Sequence, residues 1–439
     1  LEGHAVKTLL INGDLINTEK SIVEEKDILI EDGMVTGLFP RGQFTNNEHK
    51  IQRLDIAGKV VIPGLIDMHV HLREPGEEYK ETIETGCRAA AAGGFTGIAC
   101  MPNTKPANDN SSVTEFIISK ARKKGIIRVY PIAAITMGRK GNNMTEFGEL
   151  KKAGAVGISD DGSPVKNSEI MRRALEYANY HNLTVISHCE DTDLSNGGHM
   201  NEGNISARMG LRGIPSASEE IMIKRDISLA GFTGCPVHIA HVSTAGSVEA
   251  VRRAKEKGIP VTAETAPHYF TLDHSAVEGY DTNAKMNPPL RTRLDVEEIK
   301  KGLAEGIIDV IATDHAPHHT LVKEVEFDQA AFGIIGLETA LPLTLNLVRE
   351  GVLSLPDAIK KLSQQPAMIL GIEGGIINEG ARVDLAVIDT EEEFIFSKED
   401  IQSKSKNSPF IGTTLKGRNI FTMVEGKIVW SRDSKYSCS

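Results

Sequence analysis

VIPGLIDMHV, residues 61–70, is a short apolar run with β-branched residues and an internal Pro63-Gly64 turn signal, and His71 follows it directly. Such a run, bounded by a polar turn and followed by a segment of helical periodicity, reads as a strand feeding a helix. The theme recurs in TGIACM (96–101), RVYPIAAI (128–135), AVGIS (155–159), TVISHC (184–189), VHIAHV (237–242), PVTAET (260–265) and DVIATD (309–314). Helical segments lie between most of them, among them SSVTEFIISKARKKG, NSEIMRRALEYANYH, ASEEIMIKRDISLAG and GSVEAVRRAKEKG. Eight strands with crossover helices close a (β/α)8 barrel, whereas a doubly wound sheet usually stops at five or six. The fold class expected is therefore α/β, a TIM-type barrel.

Outward from the barrel the pattern changes. Residues 5–58 and 380–430 carry short alternating strands and Gly-rich turns, clearest in TLLINGDLI, KDILIEDGMVTGLF, DLAVID and FTMVEGKIVW. Neither end is long enough to bury a core alone, so a small β-sandwich built from both is expected. The boundaries expected are 1–58 and 371–439 for the two parts of that unit and 59–370 for the barrel. Two loops exceed what a compact barrel needs, 191–218 after the fifth strand and 318–336 after the eighth, and read as lid or substrate-contact segments.

Composition excludes several classes. Lys and Arg number 49 against 60 Asp and Glu, a net charge of −11 that disfavours binding to a phosphate backbone. There is no run of 18 apolar residues, and LEGHAVKTLL resembles no signal peptide, so neither a membrane span nor secretion is expected. Leu1 to His4, with no initiator Met, are expected to be a cloning remnant. Cys87, Cys100, Cys189, Cys235 and Cys438 are odd in number and widely spaced, which suits thiols in a reducing cytoplasm.

The chemistry sits where the strands end. His69 and His71 are two apart, so both imidazoles project from one face and can share a metal ion. Arg73, just beyond, offers a guanidinium to a carboxylate. Four other strands run into potential ligands: Asp160-Asp161, His188, His241 and Asp314. Each alone could be a helix cap or a core histidine, but five strand ends carrying ligands to one rim point to a metal site. Four His and two Asp exceed one tetrahedral ion and suit two divalent ions about 3.5–4 Å apart, with a carboxylate between them to offset their repulsion. Asp160 and Asp161 can each supply that bridge. Such a pair supports hydrolysis or reversible amide formation, and nucleotide-binding glycine motifs are absent.

Taken in order, DMHVHLREPG, MPNTKP, SDDG, SHCED, HVST, KMNPPLR and ATDHAPH resemble bacterial-type (class I) dihydroorotases of the amidohydrolase superfamily, from about residue 7 to residue 430. The carboxylated lysine usual in hydantoinases and allantoinases has no counterpart at the fourth strand. The resemblance implies two Zn2+ per subunit, one held by His69, His71 and Asp314 and the other by His188 and His241, with Asp161 bridging and Asp160 its rival. It implies that Arg73, Asn103 and His318 grip the substrate α-carboxylate. It places Asn287, Phe332 and Gly333 against the pyrimidine ring, and counts His71 among the substrate contacts. The implied activity is the reversible cyclisation of N-carbamoyl-L-aspartate to (S)-dihydroorotate and water in pyrimidine biosynthesis, with a hydroxide shared by the metals and Asp314 as general acid/base. Ala331 and Ser187 depart from residues common in the family but remove no ligand. The competing readings are another cyclic-amide hydrolase, or a silent partner of aspartate transcarbamoylase. The resemblance leaves open whether an active chain pairs with that enzyme or with a second copy of itself.

Overall fold

The computed structural model describes residues 7–44 and 51–436. The expectations for Leu1–His4 and Cys438 lie outside the described residues. The eight barrel strands are β1 (Leu65–Val70), β2 (Phe95–Cys100), β3 (Arg128–Ala133), β4 (Gly157–Ile158), β5 (Thr184–Ser187), β6 (Val237–Ile239), β7 (Val261–Thr265) and β8 (Val310–Ile311). They pair in sequence order, every pairing parallel. Closure between β8 and β1 comes from the residues just past β8, where Val70 bridges His315 and the His71 amide donates to the His315 carbonyl at 2.8 Å. Asp67, fully buried on β1, ties the same seam by accepting from the Thr313 amide and hydroxyl. Burial pushes its carboxyl up to about 6.

The crossover helices start where short polar side chains can cap them. Asn110 accepts from the Val113 amide at the head of Ser111–Lys124, Asn167 caps Ser168–Tyr180, and Thr244 caps Ala245–Glu256. Their apolar stripes and the outward faces of the strands form the main core. A second cluster, with Met68, Ala99, Met101, Ile132, Ile186, Ala240, Val310 and Ala312, fills the barrel interior, and Leu370 joins it. The lumen is thus packed except at its C-terminal mouth.

The expected single strand at 61–70 is in fact two. Val60–Pro63 pairs antiparallel with Asp384–Ile395 and parallel with Asp14–Asn17, whereas β1 belongs to the barrel. The switch falls at Gly64, whose amide donates to the Asp384 carbonyl while Leu65 donates to Gly94. A Cβ at Gly64 would come within 2.1 Å of the Thr96 hydroxyl, so only glycine lets the chain cross from one sheet to the other. Val60–Pro63 thereby joins the strands of both chain ends into one nine-stranded sheet with its own apolar core, including Leu10, Leu15, Ile28, Val61, Leu385 and Phe421. No helix among the described residues is long and apolar enough to cross a membrane.

Candidate metal centre and substrate pocket

Every candidate ligand lies in the last residues of a barrel strand or within three residues of its end, which brings them to one face although the sequence scatters them over 246 positions. At three non-glycine site residues the backbone is left-handed: Arg73 (φ 60°), His241 (φ 34°) and Asp314 (φ 48°). Non-glycine residues rarely adopt that region, and here it turns the chain sharply at the rim.

Asp161 is the hub. Its Oδ1 lies 3.3 Å from His69 Nε2 and 3.6 Å from both His188 Nδ1 and His241 Nε2, while Oδ2 lies 3.5 Å from His71 Nε2. Asp314 Oδ1 stands 3.0 Å from His71 Nε2 and 3.5 Å from His69 Nε2. Two groups of three possible ligands result, His69–His71–Asp161 and Asp161–His188–His241, with Asp161 common to both. Asp160 points elsewhere, accepting from the Thr136 amide at 3.0 Å and from its hydroxyl.

The hydrogen-bond pattern tests whether these residues fit a metal. His69 Nδ1 faces Glu264 Oε1 at 2.6 Å, His71 Nδ1 faces Asn103 Oδ1 at 2.7 Å, and His188 Nε2 faces Glu190 Oε2 at 3.0 Å. Each of these oxygens can only accept, so each facing nitrogen carries a proton and the opposite nitrogen is the one left to ligate a metal at the hub. Buried His69 Nε2 and Asp161 Oδ1 have no hydrogen-bond partner. Ligands on one tetrahedral ion at about 2.0–2.1 Å would stand roughly 3.4 Å apart, close to most of the separations here. The donor set fits divalent cations.

Electrostatics agree. Burial works against a proton on His69, yet Asp161, Glu264 and Asp314 hold that imidazole well above its ordinary value. His188 is also opposed by burial but is raised to about 10 by Asp161 and Glu190. Asp161 and Asp314 are both held below the carboxylate range, against burial, chiefly by His69. The cavity carries an excess of negative charge that favours cations.

Arg73 is buried beside this centre. Its Nε donates to the Pro317 carbonyl at 3.2 Å, and its Nη2 lies 3.3 Å from His318 Nε2. Burial, reinforced by the Arg73 charge, pushes His318 down to about 2, so the imidazole is neutral. With Nε2 accepting from Arg73, the proton must sit on Nδ1, which is buried without a partner. Asn103 spends its oxygen on His71, which leaves its amide NH2 to donate. Asn287 Nδ2 donates to Glu190 at 3.1 Å and so supports the acid that orients His188. The Phe332 ring lies 4.5 Å from Lys285 Nζ, and the Gly333 amide donates to the Lys285 carbonyl at 2.9 Å. Gly333 has φ 133°, and a Cβ there would come within 2.8 Å of Ala316 Cβ.

Glu264 and His268 escaped the reading of the sequence. Glu264 lies within β7, almost fully buried, and contacts His238 Nε2 at 3.2 Å as well as His69. An acid inside an apolar strand run was the available signal, because a buried carboxylate requires partners. His268, just past β7, is 2% exposed with Nε2 unpartnered, and burial lowers it to about 4. Its sequence context, APHYF, carries no spacing that distinguishes it from a core histidine.

A family model described as Dihydro-orotase-like matches residues 58–247. The dihydroorotase of Geobacter metallireducens is 53% identical over 424 residues, 97% of this chain and 99% of that relative, and that of Geobacter sp. strain M21 is 54% identical over 96% and 99%. Among solved structures, the L-hydantoinase of Arthrobacter aurescens superposes with a TM-score of 0.86 at 24% identity, covering 97% of this chain and 96% of that one. The dihydropyrimidinase of Brevibacillus agri NCHU1002 gives 0.83 at 23%, covering 96% and 94%. The two solved structures share the fold, whereas the full-length identity to the Geobacter proteins carries the assignment: the chain belongs to the dihydroorotase family.

Proposed function

We propose that the protein interconverts N-carbamoyl-L-aspartate and (S)-dihydroorotate with two Zn2+ ions, held by His69, His71 and Asp314 and by His188 and His241, with Asp161 between them. The observation that carries this reading is a buried guanidinium, Arg73, packed against neutral His318 and set beside a cluster of possible cation ligands. A cyclic amide bearing a carboxylate needs both features, and a neutral hydantoin needs only the second. When bound, the metal pair supplies a water ionised near neutral pH and polarises the carbonyl under attack.

In this reading Arg73, the Asn103 amide and the His318 Nδ1–H hold the α-carboxylate by charge-assisted hydrogen bonds. Phe332 and Gly333 face the ring, and Asn287 borders it. That clamp fixes the scissile amide over Asp314, converting an encounter into a positioned reaction. In hydrolysis Asp314 Oδ takes the proton of the attacking water and passes it to the departing ring nitrogen. In the biosynthetic direction the carbamoyl nitrogen attacks the side-chain carboxyl carbon, and the same oxygen takes its proton and passes it to the departing hydroxyl, which leaves as water. His69 and His71, oriented by Glu264 and Asn103, keep Asp314 in place.

Residues 59–370 are the catalytic unit in this proposal, with 1–58 and 371–439 as its support. The partner is a small molecule, and a homodimer or a complex with an aspartate transcarbamoylase is compatible with this proposal. The four cysteines among the described residues are free and buried, consistent with work in a reducing cytoplasm. The test is steady-state turnover of dihydroorotate, hydantoin and allantoin by chelated and by zinc-restored protein. Dihydroorotate should be turned over only after restoration and preferred over the others. A metal-loaded protein inert towards dihydroorotate would refute the reading.

A further inference from the structure

The stretch Ile401–Phe410 leaves the terminal sheet and reaches the barrel mouth before returning as strand Thr414–Val424. The side chains of Ile401, Ser403, Ser405 and Asn407 are buried there, alternating with exposed Gln402 and Lys404, and the stretch is bonded on two sides. The Ser403 hydroxyl and the Lys404 amide donate to buried Glu81, which lies 3.4 Å from His315 Nε2, and Ser405 donates to the Lys80 carbonyl. Asn407 faces the opposite side and is 4% exposed. Its Nδ2 donates to the Ala316 carbonyl at 3.1 Å and to the Gly333 carbonyl at 3.0 Å, and its Oδ1 accepts from the His318 amide at 3.0 Å. Its own carbonyl accepts from the Ile335 amide at 3.0 Å. One planar amide therefore bonds the backbone of His318 and that of Gly333 together, in a fixed geometry.

We infer that Asn407 is a positioning residue for substrate recognition, setting the spacing between the His318 side, which meets the α-carboxylate, and the Gly333 side, which meets the ring. The inference rests on the proposed assignment of His318 and Gly333 to those two parts of the substrate. Lys323 Nζ also donates to the Gly333 carbonyl, at 3.0 Å, and to that of Ala331, so the ring-facing segment has a second anchor. The His318 amide has no such substitute: Asn407 is the acceptor recorded for it among the described residues. Losing Asn407 should therefore loosen the carboxylate side first and leave the metal ligands in place.

The test compares Asn407→Ala with wild-type holoenzyme in KM, kcat, metal content and amide hydrogen exchange over 316–336. The expected result is a KM for dihydroorotate raised about tenfold or more, kcat changed less than about threefold, and metal content retained. Exchange should rise at His318 and Ile335, with barrel strands unaffected. Asn407→Ser, which puts a short polar hydroxyl in place of the amide, is read the same way should the alanine variant fail to fold. An unchanged KM, a fall confined to kcat, or loss of metal overturns the inference. If wild-type protein fails to turn over dihydroorotate, the functional reading falls instead, and unchanged exchange at His318 and Ile335 would then reject the positioning role on its own.

Discussion

His69 Nδ1 and Glu264 Oε1 lie 2.6 Å apart in the buried floor of the site, joining the first barrel strand to the seventh. The carboxylate fixes the proton on Nδ1 and so commits Nε2 to the hub around Asp161. It also contacts His238, and lies 3.4 Å from the His241 amide, so one acid braces histidines of both ligand groups. Glu264→Gln keeps the shape but removes the charge, and its NH2 can turn against the Nδ1–H. Metal affinity should fall about 10–100-fold, read by competition with a chromophoric chelator. Affinity equal to wild type would show that Glu264 serves the barrel and not the site.

Asp314 stands within 3.0 Å of His71 and 3.5 Å of His69, in a left-handed backbone conformation that the barrel seam holds. Asp314→Asn preserves the volume and a ligating oxygen but cannot carry the proton. The expected kcat is lower by about two to four orders of magnitude, with the melting temperature little changed and most of the metal retained. A kcat within tenfold of wild type, with metal bound, would exclude Asp314 as the proton carrier.

The barrel was legible because its strands repeat one local pattern, and the ligands because strand ends all converge on one rim. The reading missed where tertiary pairing overrides that pattern. Val60–Pro63 has the same apolar composition as β1, and only the close approach at Gly64 assigns it to the other sheet. SDDG could not separate Asp160 from Asp161, since the choice depends on Thr136, which lies in another loop. Asn407 is invisible in sequence, because its meaning lies in three backbone groups 74 to 91 residues away.

Arg73 is held by Pro317 and His318 and presents its charge inside an acidic protein. Arg73→Ala removes both the charge and the acceptor demand on His318. The KM for dihydroorotate should rise by about two orders of magnitude, the effect of losing a buried charge-assisted pair. The response should be much smaller for a ring amide lacking the carboxylate. An equal rise for both substrates would mean that Arg73 supports the loop and does not touch the carboxylate.

His268 gives the fold an acid-sensitive element. Burial lowers its folded value to about 4, whereas an unfolded imidazole titrates near 6.5. Between these values the unfolded chain binds a proton that the folded one refuses, so stability rises with pH across the window and falls on acidification from about 6.5 towards 4. Each unit in the middle of the window is worth about 1.4 kcal/mol, or roughly 2 kcal/mol between pH 6.5 and 5. His268→Gln removes the titration. Denaturant midpoints of holoenzyme at pH 6.5 and pH 5 should therefore converge in the variant relative to wild type. Parallel losses in the two proteins would mean that His268 takes up its proton in the folded state, in an environment more polar than its 2% exposure implies.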